Sequence, residues 1–247
     1  MKKIVSVIPA RYQSSRFPGK PLVLLLNKPM IIWVAEISAR VIGRDNTYIA
    51  TDDLRIADTV KKHGYNCLLT SSSNLTGTDR LAEAAGKIQA DIYINIQGDE
   101  PTLDPISVRR VIEEKIKHRD FVINAMTKLT ADEDPENINL PKVVFNQDKK
   151  MIYMSRLPIP GFKDFSKKPA QYFKQVCIYA FNKKELIAFG SMEGKGRLEG
   201  FEDIEILRFL DLNIPVKMIE VKANSYAVDI PEDVPKVEKR LKEIYNL

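Results

Sequence analysis

The sequence predicts an α/β fold with a mainly parallel, doubly wound central sheet. Two observations carry that expectation. Short apolar runs alternate with stretches of helical apolar spacing through the first half of the chain, as in successive strand–helix units. The 247 residues, 44% hydrophobic and 29% charged, are enough to bury the full core of one such domain.

Ile4 to Ile8 is a buried first strand, and Ile8 to Leu22 is a loop leaving its carboxyl end. Pro29 to Ile42 places Met30, Trp33, Val34, Ile37 and Val41 on one helical face and stops at Gly43. Thr47 to Thr51 is a strand. Asp53 can cap the next helix, through Leu54, Ile56, Ala57 and Val60, which Gly64 ends. Asn66 to Leu69 is a third strand, Ser71 to Thr76 a polar loop and Asp79 to Gln89 a helix. Asp91 to Ile96 is a fourth strand, running into Q-G-D-E-P. Pro105 to Lys117 and Phe121 to Leu129 complete the alternation.

Thr130 to Pro141 is acidic and irregular, a surface excursion, and the pattern then changes. Lys142 to Asn146 and Ile152 to Ser155 flank Gln147 to Lys150 as a hairpin. Phe173 to Phe181 is a strand, Gly190 to Gly200 a loop, Phe201 to Leu210 a helix and Val216 to Val221 a strand. Pro231 to Tyr245 is a closing helix with proline in its first turn. The expected organisation is one domain over 1–247 with an appended hairpin.

The net charge of +5 is modest, and basic residues are spread along the chain. The run Lys163 to Lys168 is interrupted by Asp164 and by aromatics. A nucleic-acid-binding stripe is denser, so an anionic small molecule is the expected partner. No apolar run is long enough to span a bilayer, and the N-terminus enters a strand without a signal peptide, so a cytoplasmic protein is expected. Cys67, Cys177, His63 and His118 lack zinc-site spacing, and both cysteines are expected to be reduced and buried.

The candidate chemistry begins in the first loop. Arg11, Arg16 and Lys20, stiffened by Gly19 and two prolines, sit where open α/β sheets bind ligands. Three such cations suit a polyphosphate; the alternative is a solvated basic turn. Asp99, past the fourth strand between Gly98 and Pro101, suits a phosphate-bridging Mg²⁺ or simply forms a turn. Asp229 is its natural second ligand, or an N-cap. Gly77, Thr78, Asp79 and Arg80 open a helix that can receive a phosphate or base edge, or be capped locally. Arg156, in S-R-L-P-I-P, suits a carboxylate, or a surface salt bridge.

Six motifs occur together and in order: I-P-A-R-Y-Q-S-S-R-F-P-G-K-P-L from Ile8, A-T-D-D from Ala50, G-T-D-R-L-A-E from Gly77, N-I-Q-G-D-E-P from Asn95, S-R-L-P-I-P from Ser155 and V-D-I-P-E-D from Val228. Together they resemble the CMP-Kdo synthetases, 3-deoxy-manno-octulosonate cytidylyltransferases, over essentially the whole chain. The resemblance implies a Rossmann-like three-layer sandwich and a Mg²⁺-dependent transfer of CMP from CTP to the anomeric hydroxyl of a 2-keto-3-deoxy sugar acid, with pyrophosphate released. It implies that Arg11, Arg16 and Lys20 neutralise the triphosphate, and that Pro9, Ala10, Gly77, Thr78, Asp79 and Gln97 complete the nucleotide site within residues 1–130. Asp99 and Asp229 would hold metal. Arg156, Gln175, Tyr179, Glu205 and Ile206, within residues 131–247, would meet the sugar acid. The family is dimeric, with the hairpin at the interface.

The departures cluster in the sugar half. Where the family reads H-x-G-I-Y-A-Y, this chain has Gln175 to Phe181, with glutamine in place of a sugar-contacting histidine. Where the family reads E-x-L-E-Q-L-R, the chain has Glu202 to Arg208, with Ile206 in place of a glutamine. Isoleucine cannot hydrogen-bond, and an unpaired buried hydroxyl costs about 1–3 kcal/mol. The departures fit either drift with the contacts restored by neighbours or a changed sugar, such as an 8-amino form. The alternative functions are a cytidylyltransferase for a nonulosonic, sialic-like acid and a catalytically idle nucleotide-binding relative.

Overall fold

The computed structural model describes residues 2–14, 16–167, 169, 171–222 and 225–247. Ser15 of the first loop and Lys168 lie outside them. In chain order the first half forms β1 (Ile4–Ala10), β2 (Leu24–Leu25), β3 (Lys28–Pro29), α1 (Met30–Ile42), β4 (Thr47–Thr51), α2 (Leu54–Lys62), β5 (Asn66–Leu69), α3 (Gly77–Lys87), β6 (Ile92–Ile96), α4 (Pro105–Lys117) and β7 (Val122–Lys128). The second half adds β8 (Lys142–Phe145), β9 (Met151–Ser155), β10 (Phe173–Phe181), α5 (Lys183–Gly190), α6 (Arg197–Glu202), α7 (Arg208–Asp211), β11 (Val216–Glu220) and α8 (Val234–Tyr245).

The sheet runs β11-β7-β10-β6-β1-β4-β5, and β10 alone on that path pairs antiparallel with its neighbours. Alternation along β1 divides the core. Ile8 and Ala10 face α1, α2 and α4, while Val5 and Val7 face α3, α5 and α7. The result is the expected three-layer sandwich. The β8–β9 hairpin joins the sheet through Lys142 opposite Lys174 of β10. Helix α8 packs outside these layers, where Val237 and Leu241 meet Leu25, Met30 and Trp33. Among the described residues no helix is long and apolar enough to cross a membrane.

Several elements differ from the sequence reading. Pro9 does not end β1, because Pro9 and Ala10 stay in parallel register with Ala50 and Thr51 of β4. Residues 201–210 are not one helix. Asp203, left-handed at φ 51°, ends α6, and a 3-10 turn over Glu205–Leu207 precedes α7. The expected loop from Gly190 to Gly200 is occupied at both ends by α5 and α6. Helix α5 escaped the sequence reading although it carries a capping box between Asn182 and Glu185. Both cysteines are free but only half-buried.

Candidate active site

The loop after β1 folds back on itself. Gly19, at φ 74°, donates its N–H to the Tyr12 carbonyl at 2.8 Å and turns the chain into a 3-10 turn carrying Lys20. The Lys20 ammonium then lies 2.7 Å from Asp99 Oδ2 and 3.6 Å from Asp229 Oδ1. Arg16 reaches the same Asp229 oxygen at 3.2 Å. Arg11 is exposed and makes no ion pair among the described residues, so its charge faces the cavity beside it.

Two backbone features bring Asp99 and Asp229 together. A Cβ on Gly98 would stand 2.9 Å from the Pro9 carbonyl, so only glycine lets the turn after β6 close against the end of β1. The segment before Asp229 is then laced to that turn. Val228 N–H donates to the Asp99 carbonyl at 3.0 Å, and Thr102 Oγ1 bonds both backbone groups of Tyr226. Asp229 is not the cap of the following turn, because Asp233 accepts the N–H groups of Asp229 and Ile230. Its carboxylate is left to face the cations.

These two carboxylates suit Mg²⁺. They are hard oxygen donors, 29% and 42% exposed, and they already share one cation, the Lys20 ammonium. Among the described residues no group of three or more Asp, Glu, His or Cys could hold a metal unaided. A cation here would therefore complete its shell with water and ligand oxygens, which is how Mg²⁺ usually binds.

The start of α3 corrects a sequence expectation. Its N–H groups are not open to a phosphate. Glu205 inserts its carboxylate there, accepting from Gly77 N at 3.1 Å and from Thr78 N and Oγ1 at 2.8 and 2.6 Å. Burial pushes the Glu205 carboxyl up, while these bonds pull it down. Asp79 is also engaged, accepting from Thr76 and from the buried Arg208 guanidinium at 2.6 Å. Glu199 holds the other side of Arg208, also at 2.6 Å. Gly77 still lines a cavity of about 260 Å³ with Pro9, Ala10, Arg11, Lys20 and Gln97. Arg80 lines it too, as do Lys195 and Asp203, neither of which the sequence reading assigned to the site.

A second cavity, about 800 Å³, opens beside the first and shares Arg16, Gln97, Asp99, Asp203 and Glu205 with it. Gln175 and Tyr179 of β10 form part of its wall. Burial pushes the Tyr179 hydroxyl well up. Arg156 borders this cavity but is not a free fork. Its Nε, Nη1 and Nη2 donate to the carbonyls of Glu202, Ile138 and Asp203 at 2.5, 2.8 and 2.9 Å. Ile206 does not line the cavity, being 1% exposed and packed in the core against the sheet. Glu100, absent from the sequence-derived site, lines it next to Asp99. Its Oε2 is sealed from solvent without a partner, and burial followed by the Asp99 charge pushes the carboxyl up to about 7.

Known proteins share both sequence and architecture with this chain. The family model described as Cytidylyltransferase matches residues 5–218. A 3-deoxy-manno-octulosonate cytidylyltransferase of Syntrophobacter fumaroxidans is 40% identical over 240 residues, 95% of each chain. An 8-amino-3,8-dideoxy-manno-octulosonate cytidylyltransferase of Shewanella amazonensis is 38% identical over 97% of this chain and 98% of its own. A CMP:2-keto-3-deoxy-manno-octonic acid synthetase solved with CTP superposes with a TM-score of 0.89 at 36% identity, covering 99% of this chain and 100% of its own. In sequence and in fold, the chain belongs to the cytidylyltransferase family.

Proposed function

We propose that the chain transfers CMP from CTP to the anomeric hydroxyl of a 2-keto-3-deoxy sugar acid, Kdo or a close analogue such as 8-amino-Kdo, and releases pyrophosphate. The observation that carries this reading is the meeting of Lys20 and Arg16 with Asp99 and Asp229 where the two cavities join. The smaller cavity takes CTP. Arg11, Arg16 and Lys20 neutralise its triphosphate, and Pro9, Ala10, Gly77 and Gln97 shape the nucleotide pocket. Thr78 and Asp79 act one step back, holding Glu205 and Arg208 in place.

The larger cavity takes the sugar acid, with Gln175, Tyr179 and Glu205 on its wall. Arg156 works by tying the 138 and 202–203 backbones together, and Ile206 by packing beneath Glu205. Asp99 and Asp229 would hold Mg²⁺, which would screen phosphate charge and make the sugar hydroxyl more acidic. The side chains supply position and charge for an in-line attack and need no dedicated strong base.

We place the reaction in one domain, with residues 1–130 mainly handling CTP and 131–247 mainly the sugar acid. The working form is a cytoplasmic homodimer joined at the β8–β9 hairpin, whose Ile152 is 60% exposed. Pyrophosphate release with CTP, Mg²⁺ and a panel of sugar acids tests the function. Release should require an octulosonic acid; silence with every sugar acid would leave only a nucleotide-binding protein.

A further inference from the structure

We infer that the cleft between α1, α8 and the turn after β6 binds a small organic phosphate monoester. The site is separate from both cavities described above and independent of the transfer reaction.

The cleft encloses about 210 Å³. Three cations border it from three parts of the fold: Arg40 near the end of α1, Lys222 after β11 and Arg240 on α8. Their counter-charges are few. Arg40 lies over the Tyr245 ring at 4.7 Å, and neither it nor Lys222 makes an ion pair among the described residues. Arg240 pairs with Glu243 at 2.9 Å through Nη1, while its Nε is sealed against the fold without an acceptor. Glu36, one turn before Arg40, is held by Lys28 at 2.7 Å. Asp104, the one carboxylate on the wall among the described residues, caps α4 by accepting from the Ile106 N–H at 2.9 Å.

The wall therefore carries an excess of positive charge. A phosphate dianion offsets that excess, and its oxygens match the planar guanidinium fork. The rest of the lining is apolar: Pro101, Leu103 and Pro105 from the turn, and Ile244 from α8. Bare phosphate would leave those surfaces in water, whereas the carbon body of an ester covers them. The cleft is smaller than the roughly 300 Å³ at which pockets for drug-sized ligands begin, so that body is small. The floor has a further property. Ser107 Oγ donates to the Lys222 carbonyl at 3.1 Å, and Thr102 Oγ1 accepts from the Tyr226 N–H at 2.7 Å. The two segments joined in this way carry Asp99 and Asp229, so a bound ester would brace that pair from behind.

Trp33, the single tryptophan of the chain, meets Tyr245 with ring centroids 5.1 Å apart and is 4% exposed, so its fluorescence reports on the cleft. Titration of the full chain with phenyl phosphate, without metal and at constant ionic strength, should give a saturable change with a Kd below about 10 mM. Saturating CTP should leave that Kd unchanged. Inorganic phosphate should bind about threefold or more weakly, and phenol should give no saturable change. Lys222→Gln and Arg240→Gln should each weaken phenyl phosphate about fivefold or more. Lys222 is exposed, so its variant tests the site even where Arg240→Gln fails to fold. The site is overturned by the absence of a saturable change, by loss of binding when CTP is present, or by an unaltered Kd in Lys222→Gln. Inorganic phosphate or phenol binding as tightly as phenyl phosphate overturns the monoester as its ligand.

Discussion

The two cavities are built differently although they share a wall. The smaller one lies at the carboxyl ends of parallel strands, and secondary structure fixes its shape: β1 and β6, the glycine approach at Gly98, and the α3 terminus closed by Glu205. The larger one is walled by β10 and by irregular segments around 130–141, 203–205 and 225–229. Side chains binding backbone groups and one another hold it. Lys142 ties the Asn137 and Arg156 carbonyls, Arg156 ties three more, and Gln175 is set by Asn124. A scaffold of strand ends holds the smaller cavity constant, while a laced wall lets the larger one change through a few side chains.

Four experiments probe that contrast. The largest effect belongs to the junction: Asp99→Asn should lower kcat by about 10³-fold in a pyrophosphate-release assay with little change in urea stability, as loss of a charge-stabilising group does. Near-normal turnover would remove Asp99 from its assigned role. Glu199→Ala strands the Arg208 guanidinium, 0% exposed, with one partner fewer. Urea unfolding should show a loss of about 3–5 kcal/mol, since a buried charge loses its counter-charge.

Glu205→Gln keeps the shape but weakens the cap of α3, and should cost about 1–2 kcal/mol. Because Glu205 stands between the cavities, the variant should also raise the KM for both substrates; a change confined to one would divide them more sharply than their shared wall implies.

The smallest effect is a pH dependence. Glu100, raised from 4.5 to about 7, keeps its proton in the folded chain where the unfolded chain has lost it. Stability from this group is complete below about pH 4.5 and declines until about pH 7. Glu100→Gln, measured without metal by urea unfolding, should flatten that decline and exceed the unaltered protein by about 1–2 kcal/mol above pH 7. An unchanged profile would show that Glu100 is better solvated than its sealed Oε2 implies.

The same contrast explains what could be read from the sequence. The basic loop and Asp99 were legible because each directly follows a strand, and strand ends converge in an open α/β sheet. Asp229 was legible by motif alone, since its approach to Asp99 depends on backbone lacing across the fold. The Glu205 cap joins residues 127 apart and leaves no local trace, so the α3 terminus looked open. The Asn124–Gln175 bond follows from a bulge, whose register sequence alternation does not report. Arg156 lines the larger cavity, but two of its three carbonyl partners, Ile138 and Asp203, lie on segments without regular structure.

Lys20 gives the junction a filling order. Its ammonium is the counter-ion of both carboxylates, and on the proposed reading an incoming divalent ion would have to compete with it. A triphosphate offers that ammonium a stronger partner, freeing carboxylate oxygens as phosphate oxygens arrive. Nucleotide and metal affinities would then be reciprocally linked, each raising the other. On the proposed reading the site would resist metal in isolation and accept it together with the nucleotide, so one lysine would guard the carboxylates against premature loading.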